Sequence, residues 1–442
     1  MTSARALLLA ALLGPASYGV LGTLVLTQQY LSYVALGVRE GLTVKLAQSQ
    51  ADSVAGLEFS SSALAWALGV GVLILLGSTV LANRGPVLNR DWILVGVIAC
   101  LSVTNEMLIN INRDRSRILK VALLELAFNA APLSAALFLG RDITVTVVLV
   151  AMAVGLSVSV VGQALGGNLF SIRHVSARAT RDLLRSGIPL ALLSFATNSM
   201  TGIFVFAASA MSLGRTVGLL VFANSLCTII LYGLNMAAWA ATSQSMKRIF
   251  VTNSDNDAGA RSARLTDFFR LGVILATSCL LGVQLVFLFA MKPYAGSEVF
   301  AVYMCLLQSY GLLLYRELNF LAVRSRSLVV AAGYAVILLI IAATARFAPG
   351  IGMVHLLQIS LGLLCVFSLC CVYYCRRLGF LDSHFRRQLA FLSFPPCFAL
   401  GFAMSGWIGG ILVGAAFTAA WLYIYRLHSS VLLAGMMGGR TP

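Results

Sequence analysis

The feature that most constrains this chain is a series of long apolar blocks that runs along almost its whole length. The blocks are roughly 17–25 residues long, the length that an α-helix needs to cross a bilayer core of about 30 Å. Thirteen are of full length and one, at the N-terminus, is short. Hydrophobic residues make up 60% of the sequence and charged residues only 10%, whereas soluble domains carry about 25% charged residues. The sequence therefore excludes a water-soluble globular protein and predicts an all-α polytopic membrane protein with about 14 transmembrane helices.

The basic residues lie mostly on one side of the predicted membrane. If the N-terminus is cytoplasmic, 25 of the 31 Lys and Arg residues fall in or beside the inner loops. Cytoplasmic loops carry an excess of Lys and Arg, so the sequence predicts that both termini are cytoplasmic. The net charge of +16 is then a topology signal. It does not indicate a nucleic-acid partner, and we expect the basic loops to contact anionic membrane lipids. The predicted spans are residues 4–13, 18–37, 62–83, 92–111, 119–139, 143–165, 187–209, 217–240, 271–291, 298–317, 328–346, 353–374, 389–405 and 407–425.

The sequence offers no pattern typical of an enzyme, a cofactor site or a metal site. The nine cysteines and four histidines are scattered without metal-ligand spacing, and no phosphate-binding, nucleophile-elbow or dinucleotide motif is present. The loops are too short to form a soluble domain with its own core. We therefore expect a non-enzyme without a cofactor whose function lies in the helix bundle. Residues 1–16 are also compatible with a signal peptide, so the short first helix is either complete or a removable segment.

Polar side chains inside the predicted spans are the candidate functional residues. Ionisable groups at this depth cost about 2.5–3.5 kcal/mol each on insertion scales, so they need a reason to be there. Structural explanations remain open for all of them, because charges near helix ends extend to the interface, carboxylates form ion pairs, and asparagines link helices. The candidates for substrate binding are Arg39, Arg316, Asn110, Asn198, Asn224 and Asn235, and the candidates for ion coupling are Glu106 and Glu125.

Two short stretches recur at an offset of about 200 residues. Leu13-Gly14-Pro15 at the start of the second span has a counterpart in Leu213-Gly214-Arg215, and Arg115-Ser116-Arg117 has one in Arg324-Ser325-Arg326. Each pair is six spans apart on the same side of the membrane, which indicates two parallel repeats, an arrangement typical of transporters. The predicted domains are an N-lobe at 1–165, a cytoplasmic linker at 166–186, a C-lobe at 187–374, and two extra helices with a cytoplasmic tail at 375–442.

Several motifs resemble the polysaccharide-transport branch of the MATE-like flippase superfamily. They are Leu13-Gly14-Pro15-x-x-Tyr18-Gly19, Leu36-Gly37-Val38-Arg39-Glu40, Asn110-x-x-Arg113-x-Arg115-x-Arg117, Leu183-Leu184-Arg185-Ser186-Gly187-Ile188-Pro189-Leu190, Leu213-Gly214-x-x-x-Gly218 and Tyr294-Ala295-Gly296-Ser297. Each is short and degenerate, but their order and spacing cover the chain from end to end. The first helix is truncated relative to the family pattern.

The resemblance implies two six-helix MATE-like lobes followed by two C-terminal helices. It also implies an O-antigen-type, Wzx-like flippase that moves a polyprenyl-pyrophosphate-linked oligosaccharide across the bacterial cytoplasmic membrane by alternating access. The partners implied are the lipid-linked oligosaccharide, membrane lipids, and the polymerase and glycosyltransferases of the same pathway. Arg39 and Arg316 would face the pyrophosphate or acidic sugars, and Glu106 and Glu125 would couple transport to protons. The sequence places no Arg or Lys at mid-depth in the membrane, so the prediction of a cationic cavity has less support than the other features.

Three other functions remain open from the sequence. A small-molecule antiporter of the same superfamily would need an acidic, aromatic cavity and few asparagines. A membrane polysaccharide polymerase or ligase would need a large outer loop with basic residues, yet the outer loops predicted here have at most about eight residues. A scaffold would not need polar side chains on so many helices.

Overall fold

The computed structural model contains helices separated by short turns. It describes residues 2–49, 53–84, 89–165, 171–211, 213–229, 231, 272–277, 291–314, 318, 321, 326–348, 350–378 and 385–437. The principal helices are α1 (Thr2–Ser32), α2 (Val38–Ser49), α3 (Val54–Arg84), α4 (Asn89–Asp114), α5 (Ile118–Leu139), α6 (Val145–Ala164), α7 (Ala177–Ala210), α8 (Gly214–Ile229), α9 (Ser297–Leu313), α10 (Ser327–Phe347), α11 (Met353–Arg377), α12 (Phe385–Leu392) and α13 (Phe394–Met437).

The helical membrane-protein fold predicted from the sequence is confirmed. Within the described residues, nine helices are long and apolar enough to cross a membrane, and α8 and α9 are shorter apolar helices. The predicted span 271–291 lies mostly outside the described residues, as do the C-terminal ends of the predicted spans 217–240 and 298–317. The predicted number of fourteen spans therefore stays a prediction.

Two of the long helices are interrupted where the sequence predicts a tight turn. In α1 the backbone of Gly14 leaves the helical region, with φ 70° and ψ 169°. In α13 the break lies at Ser405 and Gly406, and Gly406 has φ 58°. Positive φ suits glycine because it has no Cβ. Across the second break, a Cβ on Gly409 would overlap the carbonyl oxygen of Gly401, so the two arms of α13 pack closely.

The sequence did not predict α2, which was placed in an inner loop. The end of the second span unwinds into a 3-10 turn at Tyr33–Ala35, and Leu36 (φ 52°) and Gly37 (φ 83°) then kink the chain before α2 begins. The helix carries Arg39, Glu40 and Lys45 among its apolar residues, so no span-length apolar run marks it. Its buried face, which includes the fully buried Leu42, packs into a core shared with α3, α4 and α7.

The chain forms two compact units. The first contains residues 1–226 and 321–353, and the second contains residues 227–320 and 354–442. In the first unit α3 packs on α4, α5 on α6, and α7 on both α2 and α10. In the second unit α9 packs against α12 and α13. The division into an N-lobe at 1–165, a C-lobe at 187–374 and their flanking segments stays a prediction.

Candidate functional site

The kink between α1 and α2 places two charged side chains in the first turn of α2. The Trp66 indole N–H donates a hydrogen bond to the carbonyl oxygen of Ala35 at 3.1 Å, which fixes the 3-10 turn against α3. Leu36 and Gly37 then redirect the chain. Arg39 and Glu40 therefore lie directly after a fixed kink in the backbone.

Arg39 binds two carboxylates from two different helices. Its Nε donates to Glu40 Oε1 at 2.9 Å, and one terminal nitrogen lies 2.5 Å from the same oxygen. The other terminal nitrogen donates to Glu106 Oε2 on α4 at 2.8 Å. Burial lowers the pKa of the Arg39 guanidinium, but Glu106 and Glu40 outweigh this effect and raise its pKa overall. The group therefore stays cationic, and one positive charge faces two negative charges.

A small pocket lies beside this charge cluster. The space inside it, including the part open to solvent, is about 290 Å³, and it is lined by Ser32, Tyr33, Ala35, Gly37, Arg39, Glu40, Val103, Glu106 and Met107. The side chains of Arg39 and Glu106 are 36% and 37% exposed, so both reach the pocket. With one guanidinium and two carboxylates, the pocket has a formal net charge of −1, and its hydroxyls come from Ser32 and Tyr33. It can therefore bind a polar group of a ligand.

The structure brings some of the predicted site residues together and separates others. Glu125 on α5 pairs with Arg113 at 3.3 Å, away from the Arg39 cluster. Asn198 on α7 is exposed and donates to the Tyr33 hydroxyl at 2.5 Å. Asn110 is partly buried one helical turn after Glu106, and Asn224 is partly buried on α8. Arg316 and Asn235 lie outside the described residues.

Sequence reasoning placed Arg5 at the cytoplasmic end of the first helix. In the structure its guanidinium carbon lies 5.8 Å from the ring centroid of Phe128, a cation–π distance. Phe128 is halfway along α5, so Arg5 sits at the height of the middle of that helix. One terminal nitrogen of Arg5 is buried and has no hydrogen-bond partner among the described residues. The sequence could not reveal this position, because it depends on the break of α1 at Gly14.

Sequence reasoning also missed a buried amide pair between α4 and α6. Asn112 is fully buried, and its Nδ2 donates to the backbone oxygen of Gln163 at 3.1 Å and to Gln163 Oε1 at 2.9 Å. Lys120 donates to the same backbone oxygen at 3.3 Å. These side chains supply bonds to the carboxyl end of α6, where backbone carbonyls lack helical partners.

We expect Asn112→Leu to destabilise the protein by about 1–3 kcal/mol, because it leaves the buried Gln163 amide without its partner. The measurement is the melting temperature of the purified chain in detergent. Thr104→Val is the comparison variant, since the Thr104 hydroxyl donates to the backbone oxygen of Cys100 in its own helix at 3.1 Å. Equal melting temperatures for the two variants would show that the buried pair adds no stability.

Glycines make two close joints between helices of the first unit. We call the first the α2–α7 joint: a Cβ on Gly37 would lie 2.5 Å from the backbone of Gly187, and one on Gly41 would overlap the Leu183 carbonyl oxygen. In the second, the α1–α8 joint, a Cβ on Gly19 would lie 2.8 Å from the backbone nitrogen of Gly218.

The α1–α8 joint is extended by a side-chain hydrogen bond. The hydroxyls of Tyr18 on α1 and Ser225 on α8 lie 3.0 Å apart. In the same joint, a Cβ on Gly218 would overlap the carbonyl oxygen of Pro15. Backbone approach of this kind is possible only where small residues meet, so both joints depend on their glycines.

The comparisons with known proteins identify the fold. No protein-family model and no curated protein matches the sequence. An inward-facing multidrug resistance MATE family transporter of the MOP superfamily superposes with a TM-score of 0.58 at 15% identity, covering 88% of this chain and 94% of that chain. A proline-to-alanine mutant of MATE gives a TM-score of 0.57 at 14% identity, covering 88% and 92%. The chain therefore has a MATE-like fold.

Proposed function

We propose that this chain moves a polyprenyl-pyrophosphate-linked oligosaccharide across the bacterial cytoplasmic membrane by alternating access. The observation that carries the proposal is that both glycine joints form between segments that resemble the polysaccharide-transport branch. The α1–α8 joint forms between the segments that begin at Leu13 and Leu213, and the α2–α7 joint between those that begin at Leu36 and Leu183. The resemblance therefore falls on residues with a structural task in a MATE-like fold.

The charges of the first unit support an anionic substrate at one position. Arg5 is a cation beside the middle of α5, and one of its buried nitrogens has no hydrogen-bond partner in the part of the chain that the structure describes. A phosphate oxygen would satisfy such a nitrogen with a charge-assisted hydrogen bond. Arg39 is different, because its guanidinium is already bound by Glu40 and Glu106. We therefore assign the pyrophosphate contact to Arg5, with Arg316 as a second cation.

The other predicted residues keep their roles within this proposal. Glu106, through its bond to Arg39, and Glu125, through its bond to Arg113, are the groups that would couple transport to protons. Asn110, Asn198, Asn224 and Asn235 would face the sugars. The proposed setting is the bacterial inner membrane with both termini in the cytoplasm, alongside the polymerase and glycosyltransferases that make the glycan.

A deletion of the gene in its native host tests the proposed function. We expect intact oligosaccharide-lipid to accumulate, to be protected from an external glycosidase, and to be accompanied by loss of surface glycan. The measurement is mass spectrometry of extracted lipid-linked sugars before and after glycosidase treatment of intact cells. Oligosaccharide-lipid that is outside but not polymerised would indicate a polymerase. Unchanged glycolipids would contradict any role in glycan export.

A small-molecule antiporter is the second candidate, and the Arg39 pocket favours it. The pocket has a net charge of −1, and Tyr33 lines it, as expected for a site that binds an organic cation. Uptake of ethidium into everted vesicles with an imposed proton gradient distinguishes the two functions. Proton-dependent ethidium transport together with unchanged glycolipids in the deletion strain would establish the antiporter.

A further inference from the structure

One face of α7 is exposed along the first half of the predicted span. Ile188, Leu192 and Phe195 are 37%, 45% and 38% exposed, and Asn198 continues the same stripe at helical spacing. Asn198 lies at the middle of the predicted span 187–209. A primary amide that faces hydrocarbon loses its hydrogen bonds to water at considerable cost. The Asn198 end of this stripe therefore needs water or a polar ligand.

Aromatic side chains from α1 and the 3-10 turn surround this end of the stripe. Tyr30 and Tyr33 both meet Phe195 edge-on, with ring centroids 5.5 and 5.4 Å apart and interplanar angles of 71° and 83°. The ring centroids of Phe206 and Tyr30 lie 5.4 Å apart, and the two rings are tilted by 45°. Together these aromatic contacts hold the rings in defined positions. The result is a rigid aromatic wall beside an exposed amide.

The amide of Asn198 is oriented to bind hydroxyl groups. Asn198 Nδ2 donates to the Tyr33 hydroxyl at 2.5 Å, and this hydroxyl donates to the backbone oxygen of Ser194 at 3.5 Å, which orients both groups. In the part of the chain that the structure describes, Asn198 Oδ1 has no hydrogen-bond partner, so it can accept one. The side chains of the wall are all uncharged. Uncharged donors and acceptors next to aromatic carbon match a sugar, which presents hydroxyls at its rim and C–H groups on its faces.

We propose that Tyr33, Phe195 and Asn198 form a binding surface for the neutral sugar part of a lipid-linked glycan. The inference rests on the proposed function and assigns one of its subsites. Phe195 supports the C–H face of a sugar ring, and Asn198 exchanges hydrogen bonds with its hydroxyls. Tyr33 joins this surface to the Arg39 pocket, which it also lines. Arg5 would then bind the pyrophosphate of the substrate, and Asn198 would bind its sugar.

The test compares two lipids in proteoliposomes that contain the purified full chain. One is fluorescent polyprenyl pyrophosphate that carries a disaccharide, and the other is the same lipid without sugar. Dithionite quenching measures how fast each lipid moves between leaflets. We expect Asn198→Ala and Phe195→Ala to slow the disaccharide lipid roughly tenfold, as for the loss of one or two ligand contacts, and to leave the sugar-free lipid unchanged.

Leu192→Ala is the matched control, because Leu192 lies on the same exposed stripe one turn earlier. We expect it to move both lipids at the wild-type rate. Tyr33→Phe keeps the ring and removes only the hydroxyl, so it should slow the disaccharide lipid by a smaller factor. Equal slowing of both lipids, or wild-type rates in all variants, would overturn the sugar surface while the proposed function stands. A wild-type chain that moves neither lipid would overturn the proposed function itself.

Discussion

Gly187→Ala is expected to cause a large loss of stability in the first unit. A Cβ at this position would overlap the carbonyl oxygen of Gly37 and lie 2.7 Å from the backbone nitrogen of Gly41. Both neighbours are backbone atoms, which cannot rotate away as a flexible side chain can. Overpacking a tight contact typically costs about 1–3 kcal/mol and sometimes more. We expect lower yields and a clearly lower melting temperature in detergent.

Gly77→Ala in α3 provides the matched control for this prediction. Gly77 is also a helical glycine, but nothing lies within 4 Å of a Cβ built on it. Alanine is favoured over glycine within a helix by about 0.8–1.0 kcal/mol, so this variant should melt at or slightly above the wild-type temperature. A Gly187→Ala protein as stable as Gly77→Ala would show that the α2–α7 joint is not closely packed.

Apolar length and turn residues were sufficient to predict most of the described fold. A span has to match the bilayer thickness, so its length is visible in sequence without knowledge of its neighbours. The breaks at Gly14 and Gly406 were predictable because a glycine interrupts an otherwise apolar run. Helix α2 was not predictable in this way, because its stability comes from packing on α3, α4 and α7 and not from span-length hydrophobicity.

The candidate site was less predictable, because its contacts depend on which helix faces meet. Glu106 and Arg113 both lie on α4, but the sequence does not show that Arg113 pairs with Glu125 on α5 while Glu106 pairs with Arg39 on α2. These partners are 12 and 67 residues apart. The count of basic residues on each side of the membrane likewise puts Arg5 at the helix end, because that count does not consider the break of α1 at Gly14.

Arg39→Ala is expected to slow translocation about ten- to hundredfold at a normal protein level. The change leaves Glu40 and Glu106 beside the pocket without the guanidinium that bridges them. Loss of a charged hydrogen-bond partner costs about 1.5–3 kcal/mol, which corresponds to roughly a ten- to hundredfold change in rate. The measurement is the rate of disaccharide-lipid transfer in proteoliposomes, with protein level and melting temperature determined in parallel.

Two further variants separate a role in transport from simple charge pairing. Arg39→Lys keeps the positive charge but not the forked guanidinium that reaches both carboxylates, so we expect an intermediate rate. The double variant Arg39→Leu with Glu106→Leu removes the link between α2 and α4 without leaving Glu106 unpaired. If the cluster takes part in coupling, as we propose, this double variant should be as slow as Arg39→Ala although it folds normally. Wild-type transfer by the double variant would show that the ion pair only holds the two helices together, and the coupling group would then have to be sought at Glu125.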